Sequence, residues 1–178
     1  LDMRTLAVCL AGLLRSLRNV GRSIQEFLVS PLDADVFIAG PLEASAHWIS
    51  ALAYFPTLTA VRLEHENVTQ FVTSSSAHMS GSRWHETRSV KGNWLGCLTG
   101  ETAGEHDMRR NGSGLCQIYG HKQCLEMIED WEQKRGQRYQ HVVYSRPDFL
   151  WLGPHLPLSF LDASGLYIVE GEDYGGIN

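Results

Sequence analysis

The sequence predicts an α/β fold, a mostly parallel sheet flanked by helices, in one domain spanning residues 1–178. Three observations carry that reading. Leu6-Ala7-Val8-Cys9-Leu10 is continuously apolar, as a strand buried on both faces of a parallel sheet must be. A stretch of helical period and a second apolar run, Asp35-Val36-Phe37-Ile38-Ala39, follow it; strand, helix, strand at this spacing is a βαβ unit. A long amphipathic stretch, Leu115–Lys134, then runs directly into His141-Val142-Val143-Tyr144, a short strand rich in β-branched residues.

Taken in order, the first strand covers Thr5–Leu10 and runs into Ala11-Gly12-Leu13-Leu14-Arg15. Gly12 permits a tight turn or close backbone approach to a ligand. Val20, Ile24, Phe27 and Leu28 form one stripe of a helix over Val20–Val29, closed by Ser30-Pro31. Gly40-Pro41 ends the second strand. Leu42–Tyr54 is expected to be helical, with Trp48, Ile49, Leu52 and Ala53 inward. Leu58–Leu63 alternates apolar and polar residues, as a strand nearer the sheet edge does. After it the pattern dissolves: Thr73–Ser82 is rich in Ser and His, and Gly92–Gly114 carries Gly, Asn, Thr and charges with little periodicity, as functional loops or disordered segments do.

The helix over Leu115–Lys134 is expected to bury Leu115, Ile118, Tyr119, Leu125, Ile128 and Trp131, to expose Glu126, Glu129, Asp130 and Glu132, and to stop at Gly136. It should pack the His141 strand onto the sheet. Three apolar residues, Val142, Val143 and Tyr144, make that strand a buried one, and Pro147 ends it by lacking an N–H. Gly165-Leu166-Tyr167-Ile168-Val169 reads as a further strand. It runs into Glu170-Gly171-Glu172-Asp173-Tyr174, and a chain that stops in such a loop is expected to continue past Asn178, as one opening on Leu1 is expected to be preceded.

Composition narrows the function. A net charge of −5 argues against a nucleic-acid partner, which calls for a basic face. No apolar run reaches membrane-spanning length. Cys9 sits in a buried strand, and Cys116 and Cys124 share one helix too far apart along it to bond each other. With no Cys-x-x-Cys pair, the four cysteines, Cys97 included, are expected to be small buried hydrophobes. His78, His85 and His106 match no metal-ligand spacing and read as scattered loop histidines. Trp84 and Trp94 are packing anchors or a platform for a sugar or base, with packing the favoured reading. Two sequons, Asn67-Val68-Thr69 and Asn111-Gly112-Ser113, would accept glycans in a secretory compartment; the cytoplasm and the Golgi lumen both stay open.

Candidate site residues lie just past strand ends. Ligands bind off the carboxyl ends of strands in open α/β sheets. There Arg15 is a phosphate contact or a solvated loop arginine. Arg146 and Asp148 are a phosphate-binding guanidinium and a metal-binding carboxylate, or a surface ion pair. The residue types leave both readings open. Neither a Gly-x-Gly-x-x-Gly fingerprint nor the Gly-Lys-Ser/Thr of a P-loop is present.

Gly12-Leu13-Leu14-Arg15, Asp35-Val36-Phe37-Ile38, Arg146-Pro147-Asp148 and Asp173-Tyr174-Gly175-Gly176-Ile177-Asn178 occur in that order. Together they resemble motifs of a group of GT-A-type nucleotide-sugar-dependent glycosyltransferases from algae, plants, large viruses and bacteria; residues 42–113 contribute little. The resemblance implies a Rossmann-like GT-A fold, a UDP- or GDP-sugar donor, a glycan or other acceptor, and a divalent cation, Mn or Mg, on the diphosphate. It implies donor contacts from Gly12, Arg15, Arg146 and Asp148, with Asp148 also the metal ligand. Such enzymes usually carry Asp-x-Asp; here the matching position reads Arg146-Pro147-Asp148, which leaves one acid. An inverting transfer needs a carboxylate base, for which Glu172 and Asp173 are the candidates, with Glu170 behind them. The competing expectation is a non-catalytic carbohydrate- or partner-binding domain of the same fold.

Overall fold

The computed structural model describes residues 4–41, 46–64, 114–162 and 164–167. Among the described residues four parallel strands form one sheet in the order β3-β2-β1-β4: β1 Leu6–Ala11, β2 Asp35–Pro41, β3 Leu58–Glu64 and β4 His141–Ser145. The predicted α/β class and its parallel sheet therefore hold, and among the described residues Leu58–Leu63 lies in an edge strand. β1 is central and buried from end to end.

The two faces of the central strands differ in size, and this places the helices. Leu6, Val8 and Leu10 of β1, with Val36 and Ile38 of β2, face helix α1 (Leu17–Ile24) and bury Leu17, Ile24 and Leu28. Each large aliphatic side chain so buried contributes about 1.5–3 kcal/mol. Ala7, Cys9 and Ala11, with Phe37 and Ala39, face the other way, toward helix α3 (Gly114–Arg135).

Small residues on that face let α3 approach closely. A methyl group built on Gly120 would lie 3.2 Å from the Ala11 Cβ. The buried face of α3 is accordingly Gly120, Gln123, Cys124, Met127 and Ile128. Ile118 and Leu125 are each 44% exposed, and Trp131 is largely out as well, which corrects the expected face. Hydrophobicity alone pointed to the larger residues, but the sheet beneath accepts small ones. Nor does α3 chiefly cover β4: it lies over β1 and β2. β4 is an edge strand among the described residues, with Val142 and Tyr144 partly exposed rather than buried.

The cysteine expectation is overturned. Cys9 of β1 and Cys124 of α3 form a disulfide, their Cα atoms 6.0 Å apart. Buried position alone had suggested inert thiols; the close approach of α3 to β1 brings these two together. Cys97 lies outside the described residues, as does the Cys116 side chain.

The first helical region is longer than expected. It begins with a 3-10 turn at Leu14–Ser16, continues through α1, widens into a π-helical turn at Gln25–Val29, and ends as α2, Ser30–Leu32. Pro31 does not close it. Proline cannot donate to the carbonyl four residues back, and the Phe27 carbonyl instead accepts the His155 N–H at 2.7 Å. The Trp151 N–H similarly donates to the Ser23 hydroxyl at 3.2 Å, so residues 151–155 run back across this helix. Asp33, at φ 45°, makes the left-handed end.

Ala46–Tyr54 is a 3-10 helix that turns Ala51 and Phe55 inward with Leu52 packed against the core, while Ile49 is exposed; Ala53 too is exposed, and the Trp48 side chain lies outside the described residues. Residues 165–167 form no strand, with Leu166 exposed, and Ile168 and Val169 fall outside the described residues. So do Trp84, Trp94, His78, His85 and His106, and both sequons.

At the amino end of β2 the buried Asp35 accepts the Tyr139 hydroxyl at 2.6 Å and Arg4 Nη1 at 3.4 Å, with Arg135 Nη1 3.7 Å away. The Arg135 guanidinium lies 3.6 Å over the Tyr139 ring. This network fixes the end of α3 and the entry to β4 against β2, and thereby the point at which β4 delivers its carboxyl end.

Candidate functional site at the carboxyl edge of the sheet

From β1 the chain moves to one side for β2 and β3, and later returns on the other side of β1 for β4. The strand order therefore reverses between β1 and β4, the position at which open parallel sheets place a ligand crevice, off the carboxyl ends. Leu10 pairs with Ser145 and Ala11 with Ala39, so β4 and β1 end within one residue of each other while β2 continues through Gly40 and Pro41. Gly12, Gly40 and Arg146 emerge side by side.

The β1 turn depends on two glycines. Gly12 holds φ 137°, a conformation that side chains rarely adopt, and its N–H donates to the Ala39 carbonyl at 3.0 Å. A Cβ on Gly40 would collide with the Gly12 carbonyl oxygen, and one on Gly12 would press on Pro147. Leu14 is buried and anchors the 3-10 turn that carries Arg15 outward.

Past β4, Arg146 Nε and Nη2 donate to the two carboxylate oxygens of Asp148 at 2.9 and 2.7 Å. This hydrogen-bonded pairing holds the Asp148 carboxyl below its ordinary range; burial opposes the shift, and the charges of Arg146 and Arg15 assist it. Asp148 is consequently an anion across the neutral range.

Gly12, Arg15, Arg146 and Asp148 line one cleft of about 190 Å³, together with Gly40, Pro41 and, from α3, Gln117, Tyr119, Gly120 and Gln123. The sequence placed the first four just past strand ends, and the structure brings all four together. Glu172, Asp173 and Glu170 lie outside the described residues. Sequence reasoning missed the α3 wall. The signal that would have found it is Gly120 beside two glutamines on a helix face, which marks a close approach to the sheet end.

The α3 wall is uncharged and tied to β3. Glu64, at the end of β3, accepts Gln123 Nε2 at 3.1 Å and the Tyr119 hydroxyl at 3.4 Å. Burial raises the Tyr119 pKa, and the Glu64 charge adds to that. Arg62 of β3 is also paired with Glu126 of α3 at 2.6 Å.

No family model, curated protein or solved structure matches this chain. What the cleft can do follows from its own chemistry. Two guanidiniums against one carboxylate make its described charged lining net cationic, suited to an anion such as phosphate. A divalent cation fits less well. It needs several oxygen ligands, whereas among the described residues Asp148 is the one carboxylate lining the cleft and both its oxygens are bound by Arg146. Among the described residues no group of three His, Cys, Asp or Glu side chains is placed to hold a metal. At about 190 Å³ the cleft is also smaller than the roughly 300–1,000 Å³ usual for a ligand site, so the described lining has room for only part of a ligand of nucleotide size.

Proposed function

We propose that this chain is the nucleotide-sugar-binding domain of a glycosyltransferase, with the cleft between β1 and β4 as its donor site. One observation carries the reading: the Gly12 turn, Arg15 and Arg146-Pro147-Asp148 share a net cationic cleft at the reversal point of a parallel sheet. In the transfer, the bond from the anomeric carbon to the diphosphate oxygen breaks and a bond to an acceptor hydroxyl oxygen forms. The nucleoside diphosphate departs with the electron pair. The hydroxyl proton goes to a base, for which Glu172 and Asp173 are the sequence candidates. Charge building on the leaving diphosphate is met by Arg15 and Arg146, since oriented cations are most effective where charge develops. The reading uses no metal for that step, because the described residues do not make a metal's shell. The Cys9–Cys124 bridge belongs to an oxidising compartment, which favours the Golgi lumen over the cytoplasm. Among the described residues no helix is long and apolar enough to cross a membrane.

Thermal denaturation with UDP and GDP, each with and without Mn, tests the reading. At a hundred times its Kd a ligand adds about 2.7 kcal/mol, worth roughly 5–10 °C in a chain of this size. No rise in Tm with any nucleotide, with or without Mn, would sink the assignment. A second reading, a binding domain without catalysis, is favoured by the closed Arg146–Asp148 pair, which leaves the cleft no free carboxylate among its described lining. Nucleotide binding without any release of nucleoside diphosphate from donor sugars, in the full-length protein, would select it.

A further inference from the structure

Resting on the donor-site reading, we infer that Gln123, fixed by Glu64, determines which base the site accepts. The cleft has two chemically distinct walls. Arg15 and Arg146 stand past the ends of β1 and β4, where the donor-site reading places the diphosphate. Gln123 and Tyr119 form the neutral wall on α3, suited to an uncharged, flat heterocycle.

A glutamine amide is ordinarily ambiguous, presenting either its NH₂ or its oxygen. Here the ambiguity is removed. Glu64 is a carboxylate and accepts only, so the Gln123 Nε2 must point to it, as it does at 3.1 Å. The Gln123 side chain is buried, so rotation away from Glu64 would strand that donor. With Nε2 held at Glu64, the opposite end of the amide, its oxygen, is the group we assign to the cleft. A fixed acceptor selects a base whose ring edge donates. Uracil and guanine carry a ring N–H; cytosine and adenine carry a bare ring nitrogen at the corresponding place, which would meet the amide oxygen lone pair to lone pair. Uracil and cytosine are nearly the same shape, so steric fit alone would not separate them. Glu64 acts through Gln123 and is a positioning residue.

Calorimetric titration of UDP, CDP and inorganic diphosphate into the full chain tests this. The wild type should bind UDP about tenfold or more tighter than CDP, as expected for one buried hydrogen bond made or missed. Glu64→Gln lets the Gln123 amide turn over, and Gln123→Leu removes it. Both variants should bring the UDP-to-CDP ratio close to one while diphosphate affinity stays within about twofold. A ratio unchanged in both variants, or absent from the wild type, with diphosphate still bound, overturns the role of Gln123 and leaves the anion site standing. Failure of the wild type to bind either diphosphate or UDP overturns the donor-site reading itself, and this inference with it.

Discussion

Asp148 shows how far a single residue can be read from sequence. Its place just past a strand end was legible from Pro147, which had to stop β4. Its bond to Arg146 was not, because two residues on a turn face each other only if the turn has the right shape. That bond alters what Asp148→Asn should do. Loss of the carboxylate removes the two Asp148 bonds from Arg146 and one negative charge from the cleft, so metal-free diphosphate affinity should rise about tenfold, on the scale of a charge-assisted hydrogen bond. A titration of diphosphate in the presence of a chelator reads this directly; a fall in affinity would mean that Asp148, not its partner, touches the ligand. Stability should change little. Asp148 is 36% exposed, and such surface pairs contribute at most about 1 kcal/mol. Because its folded pKa is lowered, that contribution is present above the ordinary carboxylate range and lost as pH falls through the folded value.

Elements were legible where period and composition agreed. Apolar continuity gave β1 and β2 within a residue or two, and the amphipathic run gave α3. Which face α3 buries was not legible, because Gly120 and Cys124 pack by being small, against Ala11 and Cys9, while the moment-like pattern of large residues pointed elsewhere. The same close approach creates the disulfide. It joins residues 115 apart in sequence, and closing a loop of that length restricts the unfolded chain by about 4–5 kcal/mol. Reduction, or Cys124→Ala, should lower the Tm by roughly 10–20 °C; a shift under about 2 °C would show that the bridge adds little or is not formed. Tyr139 is a second tie between elements. Burial, then its hydrogen bond to Asp35, raises its pKa well above the ordinary tyrosine value near 10. A raised folded pKa means full stability below the unfolded value and loss as pH rises through the folded one. Denaturant midpoints should therefore fall above about pH 10, and Tyr139→Phe should flatten that decline while costing about 1–2 kcal/mol at neutral pH. An unchanged alkaline slope would remove Tyr139 from the account.

At the scale of the whole molecule, the order β3-β2-β1-β4 makes a site of residues separated by more than a hundred positions. Sequence could place Gly12 and Asp148 past strand ends, and a parallel sheet puts all such ends on one edge. It could not say that β4 lies beside β1, which is what brings Arg146-Pro147-Asp148 against the Gly12 turn. Nor could it reveal the α3 wall, since Gln123 becomes part of the site only through the close seating of that helix. The central claim is that this cleft holds a nucleoside diphosphate. Gly12, Gly40 and Gly120 line it, and their amides report on it from three different elements. An amide NMR titration of the protein with UDP should shift these three resonances together, saturably, with Tyr119 and Gln123 following. Shifts confined to the groove between α3 and β4 around Leu125, Gly136 and Val142, or no shifts at all, would contradict it.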